Sequence, residues 1–308
     1  MTIGSAAPGQ RVNLQIPIDG REYLVEVDRR VVLPVEAPRI IVVSHQPNRT
    51  AMDLLRVCIQ TVEHFTPEPH ELWIVDNNSP RENLEWLQKW PDINLVQNRT
   101  EPLPPEAQHA GSSHVASTTQ QTWGSYANAV GLDLAIRLID PGTHYLMSMH
   151  MDAMPCRVGW LSFLKSKLCN GVGAAGVRMD KTRTAEGVLH VLGYMVDFRL
   201  FRELKLDFFP VLPDLDVGDK VTIRLRQAGY GVFVCPNTVW QAQLVEAIPL
   251  SSPLRDFHVD RSFDDDGNLV FLHLGRGVRK SAGEHKRGPS PADWIRIARE
   301  HLLALPAS

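Results

Sequence analysis

The chain has 308 residues, 44% hydrophobic and 22% charged, which is enough for one large α/β domain with extensions or for two small domains. Its 32 Lys and Arg against 35 Asp and Glu leave a formal net charge of −3, without the basic excess that a nucleic-acid surface needs. No apolar stretch approaches the ~20 residues of a membrane span. The start MTIGSAAPGQRV lacks a charged segment followed by an apolar run, so the expectation is a cytoplasmic chain with no integral membrane segment.

Residues 1–10 are small and polar and read as a loose arm. Residues 12–18 and 22–27 alternate apolar and polar around Asp19-Gly20, the signature of a β-hairpin. Residues 1–37 therefore form an N-terminal extension. From residue 39 the pattern changes. IIVV at 40–43 is a β-branched run suited to a strand buried on both faces. Helical spacing follows at 52–65, a strand at 72–75, a helix at 81–90 and a short strand at 93–96. Residues 99–122 lack apolar period and read as a long surface loop. A helix at 125–139 leads into a strand ending at His150.

This β-α-β succession predicts a mainly parallel, Rossmann-like sheet whose ligand lies beyond the carboxyl ends of the strands. Ser44–Gln46, 76–79 and 150–152 should then share one rim. The second half is more mixed. It reads as a helix at 160–168, strands at 173–177, 187–198, 230–235 and 269–274, short helices near 200–206 and 220–227, and a terminal helix at 291–305. Cys58, Cys156, Cys169 and Cys235 are widely spaced without a C-x-x-C pair, which argues against a zinc ribbon or disulfide scaffold and for a reducing compartment.

The most informative stretch is HYLMSMHMDAMP at 144–155. His150 and Asp152 are spaced i, i+2, so on an extended chain they point to one side. One imidazole and one carboxylate can converge on an ion there, or simply hydrogen-bond. Ala153-Met154-Pro155 is expected to stop the strand. Further on, Gly275-Arg276-Gly277-Val278-Arg279-Lys280 follows His273. Glycines permit close backbone approach, and Arg276, Arg279 and Lys280 can clamp phosphate oxygens or stand solvated.

Taken in order, IIVVSHQPNRT, ELWIVDNNSP, GSYANAVGLDLAI, MHMDAMP and DLDVGDKVTIRLRQAGYGVFVCP resemble family 2 glycosyltransferases of the GT-A, nucleotide-diphospho-sugar transferase fold. The likeness covers roughly residues 38–240, with 241–308 as a C-terminal extension carrying a lid-like loop. It implies an α/β GT-A fold and a nucleotide-sugar donor. His150-x-Asp152 stands where the family has its metal-binding D-x-D. A late histidine, matched here by His273, is the implied third ligand. Imidazole ligation points to Mn²⁺ over Mg²⁺.

The same resemblance assigns base recognition, uracil included, to Asp76. It puts Ser44, His45, Gln46, Asn78, Asn128 and Met151 along the nucleotide. The family's catalytic base is an acidic residue before a helix ending in an A-G-Y-like turn, matched by Ala228-Gly229-Tyr230. The base is then Asp216, with Asp214 and Asp219 as rivals, at least one of the three being a helix cap. His190, Gly193 and Tyr194 fall on the acceptor side, with a core role for His190 left open. A uridine diphosphate sugar is the donor expected and inversion the outcome expected, with retention as the alternative; the acceptor is not named and a homodimer stays open. Two alternatives remain. One is a nucleotidyltransferase or pyrophosphorylase, which normally needs a glycine-rich loop that SHQPNRT lacks. The other is a degenerate, non-catalytic nucleotide-sugar-binding protein.

Overall fold

The computed structural model describes residue 9 and residues 11–104, 117–178 and 187–304, with backbone alone for 117–123. Its centre is β3 (Arg39–Ser44), whose apolar run alternates between two cores. Ile40 and Val42 face α1 (Arg49–Phe65), packing with Leu54, Leu55 and Cys58. Ile41 faces α3 (Ser117–Leu138), packing with Val130 and Leu134. A strand covered by helices on both faces must be apolar through its middle, and Ile40-Ile41-Val42-Val43 is.

Around β3 lies a nine-stranded sheet in the order β1-β2-β5-β4-β3-β6-β9-β8-β10. β4 (Glu71–Asn77), β5 (Ile93–Asn98) and β6 (Tyr145–His150) run parallel with β3. β9 (Gly193–Asp197) lies antiparallel between β6 and β8 (Val172–Gly176), and β10 (Gly231–Val234) pairs parallel with β8. The hairpin β1 (Arg11–Ile18) and β2 (Arg21–Asp28) forms as read, turning through Asp19 and Gly20, both at positive φ, and adds to the sheet beside β5.

At the amino ends of β3 and β4, Arg39 and Glu71 form a fully buried ion pair of 3.2 Å. Arg39 also donates to the carbonyls of Leu33, Pro34 and Ala37, while Glu71 accepts from Leu33 N–H and the Trp73 indole. Such partners are what make a buried pair tolerable.

A second sheet, β11-β12-β7, was not legible in the sequence as a unit. The segment read as a strand stop is itself β7 (Ala153–Pro155), entered through a turn at Met151-Asp152. It pairs antiparallel with β12 (Leu269–His273), which pairs with β11 (Asp260–Phe263). α7 (Gly277–Ser281) follows β12. α8 (Pro291–Ile297) packs on α1 and opens with a Ser290–Asp293 capping box.

Other expectations shift. The helix read at 81–90 is a 3₁₀ turn at Arg81–Asn83 followed by one turn, α2 (Glu85–Gln88). Side-chain bonds hold this segment: Asn83 donates to the Gln46 carbonyl and Trp86 to the Gln46 side chain. The strand read at 187–198 is regular only as β9, because His190 and Gly193 close a turn before it. The helix α3 begins earlier than read, at Ser117, and residues 105–116 of the expected loop lie outside the described residues. Among the described residues, no helix is long and apolar enough to cross a membrane.

Gly131 lets α3 approach β3. A Cβ there would sit 2.5 Å from Val43 Cγ1 and 2.9 Å from Cγ2. Overpacking of this kind costs about 1–3 kcal/mol, more than the roughly 1 kcal/mol that Ala gains over Gly in a helix. Gly131→Ala should therefore lower the melting temperature. Adding Val43→Ala should recover part of the loss, which calorimetric melting of the single and double variants measures.

Candidate functional site

A cavity of about 690 Å³ opens beyond the carboxyl ends of β3, β4 and β6, where a parallel sheet presents ligands. The ends of β3 and β4 supply Ser44, His45, Asn77 and Asn78. Helix α3 supplies Ser125 and Asn128, and β6 with its turn supplies His150, Met151 and Asp152. His190 and Asp216 form one flank, and His273, Arg276 and Arg279 come from the C-terminal segment.

Ligand atoms of His150, Asp152 and His273 lie within 4.8 Å of one another. His273 Nε2 is 3.6 Å and His150 Nδ1 3.9 Å from Asp152 Oδ1. The other Asp152 oxygen accepts the Gly277 N–H at 2.7 Å, and Leu274 N–H donates to the Asp152 carbonyl at 3.0 Å. Burial works against charge on Asp152. His273, His150 and the Gly277 amide outweigh it and hold the carboxyl below its ordinary range. Burial, then His190, push the pKa of His150 down, leaving a neutral ring. For His273 burial is again opposed, here by Asp152 and Asp260, which push its pKa up. The cluster thus favours a positive charge.

A divalent cation fits this donor set. His273 is 2% exposed, yet its Nε2 has no hydrogen-bond partner. An orphaned buried nitrogen beside an ionised carboxylate and a neutral imidazole is what an ion would satisfy.

Next to this cluster the His190 ring lies 5.3 Å from that of His150, and its Nε2 is 4.0 Å from Asp216 Oδ2. Leu192 N–H donates to His190 Nδ1 at 3.2 Å, so Nε2 carries the proton and turns it toward Asp216. Burial would raise the Asp216 pKa. His190, Ser125 and the Val217 N–H outweigh that and hold it below the ordinary carboxylate range. Asp216 is therefore an ionised carboxylate facing the cavity.

Several expected site residues stand elsewhere. Asp76 is fully buried and outside the cavity lining. Its carboxylate accepts from Ser79 N–H and Oγ, with Ser44 Oγ and Gln46 Nε2 each at 3.4 Å. Burial pushes its pKa up despite these donors. Through these bonds Asp76 organises the strand-end loop. Gln46 is likewise buried, held by Asp76 and Trp86.

Among the three aspartates none is the helix cap. Gly218 occupies that position before α6 (Asp219–Gln227), and Asp219, the first helical residue, folds back to accept Asp216 N–H at 2.9 Å. Asp214 is exposed in a turn, and neither it nor Asp219 lines the cavity. Gly193 and Tyr194 are buried in β9, with the Tyr194 hydroxyl 3.4 Å from the Gly218 carbonyl. Lys280 is buried and donates to the Leu274 carbonyl. None of these three lines the cavity.

Ser125 went unread. A small polar residue three positions before Asn128 shares its helix face, and that spacing was the available signal. Asn128 itself lies 3.2 Å from His150 Nε2.

No family model matches the chain, and no curated protein matches it. Solved structures of similar fold include two glycosyltransferases and one synthase. A mannosyltransferase from Pyrobaculum calidifontis in complex with GDP-Man and Mn²⁺ is 17% identical, over 86% of this chain and 70% of that one, with TM-score 0.45. The galactosyltransferase LgtC with donor and acceptor sugar analogs is 11% identical, over 87% and 97%, at 0.48. The 4-diphosphocytidyl-2C-methyl-D-erythritol synthase of Anaerococcus prevotii is 10% identical, over 65% and 89%, at 0.40. At these values the likenesses decide nothing about activity. The chain's own architecture is a mainly parallel α/β sheet with its cavity beyond the strand ends.

Gly277 tests how tightly the cluster is held. A Cβ there would lie 2.6 Å from Asp152 Cβ and 2.9 Å from Oδ2. Gly277→Ala should displace Asp152 and weaken Mn²⁺ binding about 10–100-fold, the usual cost of disturbing the shell around a metal ligand. Isothermal calorimetry reads this directly.

Proposed function

We propose that this protein is a glycosyltransferase that moves a sugar from a nucleotide diphosphate sugar to an acceptor hydroxyl. The observation that carries the reading is the pairing within one cavity of a cation-binding cluster, His150, Asp152 and His273, with an adjacent ionised carboxylate, Asp216. When bound there, a divalent ion would supply positive charge to the phosphates of the departing nucleoside diphosphate. Two imidazoles and one carboxylate favour Mn²⁺ over Mg²⁺, which prefers oxygen ligands.

The chain's residues do the rest. Arg276 and Arg279 face the cavity and hold phosphate oxygens. Asp216 accepts the proton of the acceptor hydroxyl, whose oxygen attacks the anomeric carbon opposite the leaving nucleotide, with inversion. His190 and Ser125 keep Asp216 ionised and aimed. Since Asp76 is turned inward, Ser44, His45, Asn77 and Asn78 are left as the base side, and uridine has no special claim.

A panel of UDP-, GDP- and dTDP-sugars with and without Mn²⁺ tests this. Release of nucleoside diphosphate that requires Mn²⁺, even by slow transfer to water, is the expected outcome. Pyrophosphate release from a nucleoside triphosphate and a sugar phosphate would assign a nucleotidyltransferase instead. Binding without turnover would assign a degenerate binding protein.

Within an active assay, Asp216→Asn should lower turnover by roughly 10²–10⁴-fold, the usual contribution of general-base catalysis, with donor binding retained. Asp214→Asn, exposed and away from the cavity, should leave turnover unchanged. NMR of the product's anomeric proton should show inverted configuration.

A further inference from the structure

The antiparallel sheet β11-β12-β7 sets three residues in one row: Asp260 pairs with His273, and His273 pairs with Ala153. Directly opposite residues on neighbouring strands share a face and touch. Asp260 Oδ2 accordingly lies 3.1 Å from His273 Nδ1. On the other edge of the ring, Nε2 has no hydrogen-bond partner and faces Asp152 Oδ1 at 3.6 Å. The side chain of Asp260 is 46% exposed, and the residue is not part of the cavity lining, so it is placed to touch neither donor nor acceptor.

Building on the metal reading above, we infer that Asp260 is a positioning residue, an outer-sphere carboxylate that makes His273 a metal ligand through Nε2. An acceptor at Nδ1 fixes the proton on that nitrogen and leaves the Nε2 lone pair directed at the cluster. Carboxylate–histidine–metal arrangements of this kind also raise the basicity of the ligating nitrogen. The arrangement answers a shortage created by the sequence. His150-x-Asp152 offers one carboxylate, and Asp260 returns a second negative charge to the site from behind an imidazole. Asp260 is 13 residues from His273 and joined to it by the hairpin that Asp264 closes, accepting the N–H groups of Asp266 and Asn268. The ligand and its support thus belong to one small unit that docks on Asp152.

The test is Mn²⁺ titration by calorimetry, without nucleotide, on wild type, Asp152→Ala, Asp260→Ala and Asp260→Asn, with chelator-treated melting curves alongside. Asp260→Ala should bind Mn²⁺ about 10–100-fold more weakly, with its metal-free melting temperature near wild type. Asp260→Asn, whose amide oxygen still accepts the Nδ1 proton, should lie between Ala and wild type. Wild-type affinity in Asp260→Ala overturns the inference and leaves the metal reading standing. A wild type that binds no better than Asp152→Ala overturns the metal reading and the inference with it. Should Asp260→Ala unfold, long-range ¹H–¹⁵N NMR of wild type loaded with Zn²⁺ decides. His273 protonated on Nδ1 and bound through Nε2 supports the inference, and the reverse tautomer overturns it.

Discussion

The hydrogen bond from the Gly277 N–H to Asp152 Oδ2 joins two parts of the protein that are otherwise separate in sequence. At His150 the chain ends a core strand, turns through Met151 and Asp152, and enters a different sheet at Ala153. That turn places Asp152 between β6 and the C-terminal unit. The Leu274 N–H bond to the Asp152 carbonyl and the Ala153–His273 pairing seat β12 against it. His273, Arg276 and Arg279 reach the cavity only because this seam closes. A side chain at position 277 would fill the space that Asp152 needs.

The electrostatics of the cavity follow from the seam. Four titratable groups, His150, Asp152, His190 and His273, sit in contact or near contact with burial opposing charge on most of them. The outcome is decided by neighbours rather than by burial alone. Carboxylates next to imidazoles stay ionised, and the ring flanked by two carboxylates is held where positive charge is favoured, so that an ion at Nε2 takes the place of a proton. The same logic separates Asp76 from Asp216. Both are buried aspartates at strand or loop ends. Asp76 has hydroxyl, amide and backbone donors but no strong cationic neighbour, and its pKa rises. Asp216 has His190 as well as Ser125 and stays ionised. Only Asp216 opens onto the cavity.

Much of this was legible in the sequence because it depends on local pattern. The two-faced apolar run at 40–43 and the Asp19-Gly20 hairpin each carry their geometry in a few residues, whereas His150 and Asp152 come together through a turn and not along an extended strand. The cavity's position followed from strand–helix alternation. What failed depends on contacts that residue spacing and turn composition do not fix, whether the partner is near in the chain or far. Val75-Asp76-Asn77-Asn78-Ser79 reads as a ligand-facing turn, and only the structure shows the Asp76 oxygens taken up by Ser79, Ser44 and Gln46. Asp219 resembled a cap and instead braces Asp216. Ala153-Met154-Pro155 resembled a strand stop because three residues are too few to show a period, and its partner strand lies more than a hundred residues on. Asp260 had no signal at all, since a cross-strand neighbour is set by register and not by spacing.

The central claim is that one ion and one nucleotide diphosphate meet at the end of β6. Crystals grown with Mn²⁺ and a nucleoside diphosphate, measured at the manganese absorption edge, test it most directly. The account predicts one anomalous peak bonded to His150, Asp152 and His273, with the diphosphate between it and Arg276 and Arg279 and the base toward His45 and Asn78. A nucleotide bound in this cavity with no manganese peak at the three side chains, or a peak bonded elsewhere, would contradict it.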